Sequence, residues 1–275
     1  MDNTAQIDYW NGAAGEKWVR DADRLDRMLK PFSEAVLTAV KPVAGERIID
    51  IGCGAGALSF AASNAGALTT GVDVSEPLIA IARRRAEQRA PSAQFVVADA
   101  SAWAPEKKAD VVVSRFGVMF FADPAAAFAN IRSGMRPGGR LAFACWRPLA
   151  ENDWALMPIM VALPFLKAPP TPPPPGTPGP FAFGSRDDVA GILTQAGWTN
   201  VRITPWDGTI ELPGENAEDT ADFMLEIGPL SRAMAEQDVD PAKVKDALVA
   251  RVRSLTGDEG RTHLKAAVWI VEATA

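Results

Sequence analysis

The residues best suited to bind a ligand stand in the first hundred positions, around a glycine-rich loop. Gly52, Gly54 and Gly56 alternate shortly after Asp50. Glycines let the backbone turn tightly and approach a ligand closely, and a helix after such a loop presents free backbone N–H groups. Asp73 comes 23 residues after Asp50, where a carboxylate can accept both ribose hydroxyls of a nucleoside. The pattern therefore predicts a site for a nucleoside-containing cofactor.

Two kinds of nucleoside cofactor fit this loop. The spacing Gly-x-Gly-x-x-Ala from Gly52 satisfies the loose fingerprint of dinucleotide-binding folds, which leaves a nicotinamide cofactor open. Three features argue against it. A helix predicted over 20–40 precedes the first strand, whereas a dinucleotide fold often starts at that strand. Asp50 suits a cationic amine better than a pyrophosphate, which it would repel. Asp99 ends the predicted third strand, where a carboxylate can accept from the exocyclic amine of adenine.

The hydrophobic pattern of the first 150 residues alternates between strands and helices. An amphipathic helix is predicted over 20–40, because its apolar residues recur at helical spacing and Pro42 follows. Short apolar runs between turn residues are typical of buried parallel strands. The predicted strands are 47–51, 68–74, 95–99, 110–114 and 141–146, and the predicted helices between them are 57–64, 77–89 and 124–135. This alternation predicts an α/β fold with a parallel sheet and helices on both faces.

The pattern changes after residue 150. An apolar run covers 154–166, and eight prolines with two glycines fill 169–180. The proline-rich stretch favours a semi-rigid spacer, with a ligand for an SH3-type domain as the alternative. The elements predicted beyond it are a helix over 187–196, a strand over 201–210, helices over 217–255 with a break at Asp240-Pro241, and a strand over 266–273.

These motifs resemble those of class I S-adenosylmethionine (SAM)-dependent methyltransferases of the ubiquinone and menaquinone biosynthesis type. The resemblance implies that the segment from Asp50 to Gly56 holds the methionine part of SAM. It implies further that Asp73 binds the ribose, and that Asp99 with Ala100 binds the adenine. The cofactor would then be SAM and the product S-adenosylhomocysteine.

The same resemblance extends to segments around the site. Residues 9–18 are similar to a segment that folds over SAM in related enzymes. Residues 114–121 resemble the family's strand-four segment, which borders the methyl-transfer site, and 136–139 resemble its turn into strand five. The resemblance covers about residues 5–150 well and 185–275 loosely.

The family implies a doubly wound, seven-stranded Rossmann-like sheet, mostly parallel with the last strand antiparallel, with helical insertions over the pocket. The strands predicted over 201–210 and 266–273 fit this topology. We accordingly expect a single SAM-methyltransferase domain over 1–275. Its expected parts are an N-terminal helical lid (1–40), a SAM-binding core (41–150), and two insertions (151–184 and 213–260) that form a substrate cap.

The residues expected to contact the cofactor lie on the lid, the loop and the strand ends. They are Tyr9, Trp18, Asp50, Gly52, Cys53, Gly54, Gly56, Asp73, Val74, Asp99, Ala100 and Ser114. Tyr9 and Trp18 either form an aromatic lid on the sulfonium cation or pack the N-terminal helix on the body, as is favoured for Trp10. Cys53 is interpreted as a small residue that fits the loop, since no His or Lys nearby in sequence would activate it as a nucleophile.

Two residues are candidates for a part in the reaction. Arg115 follows the predicted fourth strand and either orients an anionic acceptor or pairs with a carboxylate. His263, the only histidine, could deprotonate a hydroxyl acceptor, but a lone histidine near a strand start is more often a surface residue. The apolar run 154–166 either covers a lipophilic substrate pocket or packs against the core or a second subunit.

Composition narrows the classes of partner. The chain has 28 Lys and Arg against 34 Asp and Glu, a net charge of −6, which disfavours binding to nucleic acid or to an anionic membrane. The apolar run 154–166 contains two prolines and is too short to span a bilayer. Two cysteines and one histidine are too few for a structural zinc site. With no secretory signal at the start, these features predict a reduced, cytoplasmic protein without a metal.

We therefore predict a methyltransferase that acts on oxygen or carbon of a small, lipophilic metabolite. SAM carries its own activated methyl group, so the protein needs to bind, align and exclude water rather than supply a catalytic residue. Residues 114–117 lack the Asn-Pro-Pro-aromatic motif of methyltransferases that act on nucleobase amines. The alternatives are a nicotinamide-dependent oxidoreductase and a SAM-binding protein without turnover. The sequence leaves the acceptor and the oligomeric state open.

Overall fold

One sheet of seven strands organises the chain, which a computed structural model describes over residues 3–174, 176–257 and 260–275. The strands are β1 (Arg47–Ile51), β2 (Leu68–Asp73), β3 (Gln94–Val97), β4 (Ala109–Arg115), β5 (Met135–Trp146), β6 (Thr199–Glu211) and β7 (His263–Thr274). Five positions lie outside the described residues. Residues 1–2 belong to the expected lid, residue 175 to the proline-rich stretch, and residues 258–259 to the expected second insertion.

The strand order is β3-β2-β1-β4-β5-β7-β6. Strands β1 to β5 pair in parallel, whereas β7 runs antiparallel to both of its neighbours. This confirms the predicted doubly wound, mostly parallel sheet with its last strand antiparallel. The order differs from the 3-2-1-4-5-6 order of dinucleotide-binding folds, in which no strand is inserted between the fifth and the sixth. Because parallel strands run the same way, the carboxyl ends of β1 to β4 meet at one edge of the sheet.

Helices connect the strands and cover the sheet. They are α1 (Thr4–Asn11), α2 (Ala13–Arg20), α3 (Ala22–Met28), α4 (Lys30–Val40), α5 (Ala57–Asn64), α6 (Glu76–Arg89), α7 (Pro124–Ser133), α8 (Asp153–Ala162), α9 (Arg186–Gln195), α10 (Ala217–Glu226), α11 (Pro229–Gln237) and α12 (Pro241–Leu255). Local side chains fix where several of them begin. The Asp123 carboxylate, for example, accepts the N–H of Ala126 at 3.0 Å and so caps α7.

The N-terminal region differs from the prediction of one helix over 20–40. Two helices, α3 and α4, are separated there at Leu29, whose backbone leaves helical geometry at φ −95° and ψ 1°. Pro31 explains the break, because its nitrogen has no hydrogen to donate to the carbonyl four residues earlier. The two helices therefore face different neighbours. Asp26 of α3 lines a cleft over the glycine loop, whereas Phe32 of α4 is fully buried in the core.

Three smaller differences concern element ends. β3 ends two residues before Asp99, so this carboxylate stands in the loop that follows the strand. Residues 136–139, predicted as a turn before the fifth strand, lie within β5 where the pairing with β4 shifts register. The helical region 217–255 is broken at Gly228 (φ 101°), in addition to the predicted break at Asp240-Pro241.

The apolar run 154–166 forms most of α8 and a short 3-10 helix at Leu163–Phe165. α8 packs against α11, α12 and β7, and its Ala155 and Ile159 are buried. Met160 on the same helix is 56% exposed. The run thus packs partly against the core. Among the described residues, no helix is long and apolar enough to cross a membrane.

The proline-rich stretch has no regular secondary structure over 169–174. It is attached to the body on both sides: Ala168 and Gln237 exchange two hydrogen bonds of 3.1 and 2.9 Å, and the N–H of Gly179 donates to the carbonyl of Met119 at 3.1 Å. This is the geometry of a spacer between α8 and α9.

Candidate functional site

The glycine loop joins β1 to α5 and lies against the end of β4. Gly52 (φ +64°) approaches Gly117 so closely that an added Cβ would lie 2.5 Å from the Gly117 Cα. Only glycine fits this contact. Gly54 (φ +53°) faces open space, since a Cβ there would meet no atom of the described residues within 4 Å. The loop is therefore closed on its β4 side and open at Gly54.

Asp50, near the end of β1, is a buried carboxylate with one partner. Ser59 on α5 donates its hydroxyl to Asp50 Oδ2 at 2.6 Å. Asp50 Oδ1 is buried and accepts no hydrogen bond from the residues that the structure describes. Burial raises the pKa of Asp50 to about 7, against the opposing effects of the Ser59 hydroxyl and the Arg115 charge. A buried polar atom without a partner is costly, so this oxygen is suited to a donor supplied by a ligand.

Asp73 ends β2 and is tied to the glycine loop. Its Oδ2 accepts the N–H of Gly54 at 2.8 Å, and its Oδ1 accepts the N–H of Ser75 at 2.9 Å. Loss of hydration raises the pKa of Asp73, whereas these backbone donors and that of Val74 lower it. A carboxylate oxygen has two lone-pair sites, so both oxygens can still accept a hydroxyl donor.

Asp99 follows β3 and is reached by the N-terminal segment. Its Oδ1 accepts the N–H of Ser101 at 2.9 Å and the side-chain amide of Asn3 at 3.4 Å. The neighbouring Ala100 is buried, and its carbonyl accepts from the Asn130 amide at 3.0 Å.

The three carboxylates follow a regular register across the sheet. Asp73 lies two residues beyond the β2 partner of Asp50, and Asp99 lies two residues beyond the β3 partner of Asp73. The structure therefore brings Asp50, Asp73 and Asp99 to one edge, in the order that the sequence predicts.

Ser114 joins the ends of two strands. Its buried hydroxyl donates to the carbonyl of Ile51 at 2.7 Å and accepts the N–H of Gly117 at 3.2 Å. These two bonds hold the β4 end against the glycine loop. The Ser114 side chain therefore positions the close contact between Gly52 and Gly117.

The N-terminal helices lie against this edge through aromatic contacts. Trp10 packs edge-on against Tyr9, Trp18 and Phe120, with ring centroids 5.3, 5.6 and 5.3 Å away. The Ser75 hydroxyl donates to the Trp10 carbonyl at 2.8 Å. Tyr9 is 55% exposed, whereas Trp18 lines the cleft over the glycine loop. Trp10 thus packs the helices on the body, and Trp18 faces the loop.

Asn11 adds a polar link between α1 and the end of β2. Its amide nitrogen donates to the carbonyl of Val74 at 2.9 Å, and its oxygen accepts the N–H of Glu76 at 2.9 Å. Ser75 is the N-cap residue of α6, as the sequence predicts, but its hydroxyl is bound to Trp10. The cap interaction at the start of α6 therefore comes from Asn11, more than sixty residues earlier.

A cleft lies over the glycine loop, between the sheet edge and the N-terminal helices. Its wall combines loop residues 52–55 with Trp18 and Leu25 of the N-terminal helices. Two acidic side chains and one basic side chain also line it: Asp26, Asp50 and Arg115. The N-terminal helices and the sheet edge thus enclose one charged cleft.

Arg115 ends β4, and only 11% of its side chain is exposed. Its Nη1 donates to the Ser33 hydroxyl at 3.0 Å, and its Nη2 lies 3.5 Å from Asp26 Oδ1. Burial lowers the pKa of Arg115, and the charges of Asp26 and Asp50 oppose this. An arginine guanidinium is not deprotonated in proteins, so Arg115 keeps its positive charge. Of the two roles predicted for Arg115, pairing with a carboxylate is present.

An aromatic series leads from the β4 end to α8. Phe116 has φ +65°, a strained conformation for a non-glycine residue. Its ring stacks on Trp146 at 4.2 Å and meets Phe32 edge-on at 5.1 Å. Trp154 of α8 lies 4.7 Å from Trp146. These contacts hold Phe116 in place and connect the sheet edge to the first insertion.

His263 is not among the described residues that line the cleft. Its side chain is 47% exposed, and its Nε2 lies 4.0 Å from Glu211 Oε2 across the β6–β7 pair. Cys53 lies in the loop and is buried, and burial raises the pKa of its thiol, which keeps it protonated. No cluster of three metal-ligating side chains occurs within the described parts of the chain.

Sequence reasoning missed Ser59, Asp26 and Asn3. Ser59 carried a usable signal, because it is a polar residue in an apolar helix, nine positions after Asp50. Asp26 and Asn3 carried none, since their partners Arg115 and Asp99 lie about ninety residues away in sequence.

Comparison with known proteins agrees with this geometry. Residues 48–139 match the family described as "Methyltransferase domain". Ubiquinone biosynthesis O-methyltransferase of Coxiella burnetii is 28% identical over 138 residues, which cover 50% of this chain and 56% of the relative. Nocamycin O-methyltransferase of Saccharothrix syringae is 29% identical over 200 residues, which cover 68% of this chain and 71% of the relative. Magnesium protoporphyrin IX methyltransferase of Synechocystis PCC 6803, solved with bound SAM, matches the fold with a TM-score of 0.53 at 17% identity, covering 100% of this chain and 97% of that chain.

The seven-stranded sheet is Rossmann-like, and residues 48–139 match a methyltransferase domain. These findings support a class I SAM-dependent methyltransferase and argue against the nicotinamide alternative. The chain spans about half the length of the ubiquinone-biosynthesis relative that it matches.

Proposed function

We propose that this protein transfers a methyl group from SAM to oxygen or carbon of a small, lipophilic acceptor and releases S-adenosylhomocysteine. The observation that carries the proposal is Asp50 Oδ1, which has no partner among the described residues and lies on the same sheet edge as Asp73 and Asp99, beside the open glycine loop. Such an arrangement suits an adenosine joined to a cationic amino acid.

We propose that the cleft over the glycine loop takes the methionine part of SAM; Asp73 and Asp99 are not among the described residues that line this cleft, but they lie further along the same sheet edge. Asp50 would accept the ammonium group of the methionine part, and Asp73 would accept the ribose hydroxyls. Asp99 and the buried Ala100 would bind the adenine. The remaining proposed contacts are the loop residues Gly52, Cys53, Gly54 and Gly56, the strand-end residues Val74 and Ser114, and the lid residues Tyr9 and Trp18.

Bound SAM supplies an activated methyl group on a sulfonium leaving group. The chain's own residues bind, orient and exclude water. Trp18 faces the loop. A contact between its aromatic face and a sulfonium cation would stabilise binding by about 0.5–2 kcal/mol. Alignment of an acceptor at the β4 end gains several kcal/mol from proximity. We assign no general base, because His263 is exposed and Arg115 is a permanent cation.

A small second depression, lined by apolar side chains, is the basis for proposing a lipophilic acceptor. It lies between α8, α10 and α11. Its walls include Trp154 and Ala155 from the first insertion and Phe223, Met224 and Leu230 from the second. The aromatic series through Trp146 connects it with the β4 end. We propose that 151–184 and 213–260 form the substrate cap, that 1–40 form the lid and that 41–150 form the core of one domain.

The relatives support a small-molecule acceptor. Two of them are named as O-methyltransferases, one of ubiquinone biosynthesis and one of nocamycin, and a third acts on magnesium protoporphyrin IX. We therefore include oxygen among the acceptor atoms that we propose for this protein. We also propose a cytoplasmic location, for which the two free, buried cysteines are suited.

Calorimetry and turnover assays test the proposal. The protein should bind SAM at micromolar concentration, should bind NAD far more weakly, and should form S-adenosylhomocysteine with a lipophilic phenol or enol from an acceptor panel. Absence of SAM binding would refute it. SAM binding without S-adenosylhomocysteine from any acceptor would favour the alternative of a SAM-binding protein without turnover.

A further inference from the structure

Three basic side chains of the N-terminal helices meet acidic groups of α10. Lys17 and Arg20 lie on α2, and Arg24 lies on α3. The Lys17 ammonium donates to the carbonyl of Glu226 at 3.3 Å, and Arg20 pairs with the carboxylate of the same glutamate. Arg24 Nη2 lies 2.8 Å from Asp219 Oδ1. These five residues form an ionic seam between the N-terminal helices and α10.

Arg24 is held from both sides of the seam. Its Nη1 donates to the buried carboxylate of Asp21 at 3.2 Å on the N-terminal side. On the α10 side, its guanidinium carbon lies 5.5 Å from the centre of the Phe223 ring, in addition to the pair with Asp219. Only 28% of the Arg24 side chain is exposed. A partly desolvated charge between carboxylates and an aromatic face is held more firmly than an exposed surface pair. Arg24 therefore joins α3 to α10.

The seam lies between the two candidate binding sites. Trp18 and Leu25, which are sequence neighbours of seam residues, line the cleft over the glycine loop. Phe223, the ring that Arg24 contacts, lines the apolar depression between α8, α10 and α11. None of the described residues that line the first cleft belongs to α10. A ligand in the first cleft can therefore affect the apolar depression through the seam without touching α10.

We propose that Arg24 is a positioning residue that couples the two sites. A cofactor bound over the glycine loop fixes α3, and α3 acts through Arg24 to fix α10 and with it one wall of the acceptor site. The inference rests on the proposed function, because it needs a cofactor at the first site and an acceptor at the second. Coupling between two sites is reciprocal, so bound acceptor also strengthens the binding of the cofactor.

Hydrogen–deuterium exchange, measured by mass spectrometry, follows α10 without an identified acceptor. Saturating S-adenosylhomocysteine should slow amide exchange in α10 about fivefold or more, the lower end of the range for coupling between sites. Any bound ligand also stabilises the fold as a whole. Exchange in α9 measures this general effect, because no residue of α9 is among the described residues that line either site. The slowing in α10 should exceed the slowing in α9.

Asp219→Asn breaks the pair with Arg24 from the α10 side. The new amide oxygen can still accept the N–H of Glu215, which Asp219 accepts at 3.0 Å. We expect this variant to bind S-adenosylhomocysteine, while the slowing in α10 falls to the level of α9.

Asp222→Asn is the matched control. Asp222 lies three residues further along α10, and its carboxylate pairs at 2.6 Å with Lys245 of α12 instead of the N-terminal helices. Asp222→Asn should retain the ligand-dependent slowing of exchange in α10.

The ratio of exchange rates with and without ligand separates coupling from a structural role. A structural role alone would speed exchange in α10 equally in both states, so an unchanged ratio in Asp219→Asn overturns the coupling. Arg24→Gln breaks the same pair from α3 and decides the question if Asp219→Asn does not fold. In the wild-type protein, slowing in α10 no greater than in α9 overturns the coupling without any variant. Absence of S-adenosylhomocysteine binding refutes the proposed function itself.

Discussion

The Ser59 hydroxyl donates to one oxygen of Asp50 at 2.6 Å and leaves the other oxygen buried without a partner among the described residues. This asymmetry explains how a carboxylate can be held rigidly and still be available to a ligand. Ser59 holds one oxygen in place, and the second oxygen is suited to the ammonium donor that we propose. Asp50 and Ser59 therefore act as one unit.

Asp50→Asn should weaken SAM binding about 10–100-fold, because a charge-assisted hydrogen bond is worth about 1.5–3 kcal/mol. Isothermal titration calorimetry measures the change. Asp110→Asn is the control: Asp110 lies at the opposite end of β4, where its carboxylate accepts the N–H of Arg47 at 2.8 Å. Asp110→Asn should lower stability and leave SAM affinity within about threefold. Equal losses of SAM affinity in the two variants would contradict a direct contact by Asp50.

The affinity for SAM should rise with pH until Asp50 is ionised. Burial raises the pKa of Asp50 to about 7, so below this value the carboxyl is largely protonated and cannot pair fully with an ammonium. Affinity should increase by up to about tenfold per pH unit from pH 5 to 7 and level off above it. In Asp50→Asn this dependence should disappear.

Ser59→Ala gives the pH dependence a second test. The Ser59 hydroxyl lowers the pKa of Asp50, so its removal should move the rise in affinity to higher pH. If the pH profile of SAM affinity is unchanged in both Asp50→Asn and Ser59→Ala, another group controls the pH dependence.

The raised pKa of Asp50 also affects folding. Folded Asp50 holds its proton between about pH 4 and 7, where an unfolded aspartate has lost it. Its contribution to stability is therefore present at low pH and is lost as the pH rises to about 7.

The central part of the site could be predicted because its residues are set by local pattern. The β1 strand and α5 have the bounds that their apolar runs and flanking glycines indicate. Asp50, Asp73 and Asp99 each stand at or just after the end of a strand, and parallel pairing then brings them to one edge. For these three carboxylates, the spacing in the sequence is enough to predict where they lie in the sheet.

The remainder of the site depends on contacts between distant segments. Asp26 meets Arg85 and Arg115 because the break at Leu29 lets α3 lie over the sheet edge in a different direction from α4. The hydrophobic period over 20–40 does not reveal that break, since the apolar residues keep their spacing across it, although Pro31 is a sequence signal for the break. Asn11, which takes over the cap of α6, is similarly invisible, because a local rule assigns that cap to Ser75.

Trp10 should matter more for cofactor binding than the more exposed Tyr9. Trp10 packs on three rings and joins α1 and α2 to Phe120, whereas Tyr9 is 55% exposed. Each aromatic pair is worth about 0.5–1.5 kcal/mol, so Trp10→Ala should raise the Kd for SAM about tenfold or more by displacing Trp18. Tyr9→Ala should raise it less than about threefold. Calorimetry on the pair decides whether α1 serves as a lid, and a larger effect of Tyr9 would contradict this packing.

Filling the apolar cleft should impair acceptor binding without affecting SAM. Ala155 and Ala162 are both fully buried on α8, but only Ala155 lines the cleft between the two insertions. Each Leu substitution adds bulk to a packed site at a cost of about 1–3 kcal/mol of stability, so the two variants are matched in that respect. Ala155→Leu should raise the KM of a lipophilic acceptor about tenfold or more, by occupying space that the acceptor needs.

Steady-state kinetics at saturating SAM gives the KM, and calorimetry gives the SAM affinity of the same preparations. We expect Ala162→Leu to lower the melting temperature to a similar degree as Ala155→Leu while it leaves the acceptor KM within about threefold. Equal KM changes in the two variants would mean that α8 acts on the acceptor only through overall stability. The acceptor would then be bound elsewhere at the β4 end, where the rings of Phe116 and Trp146 stack on each other.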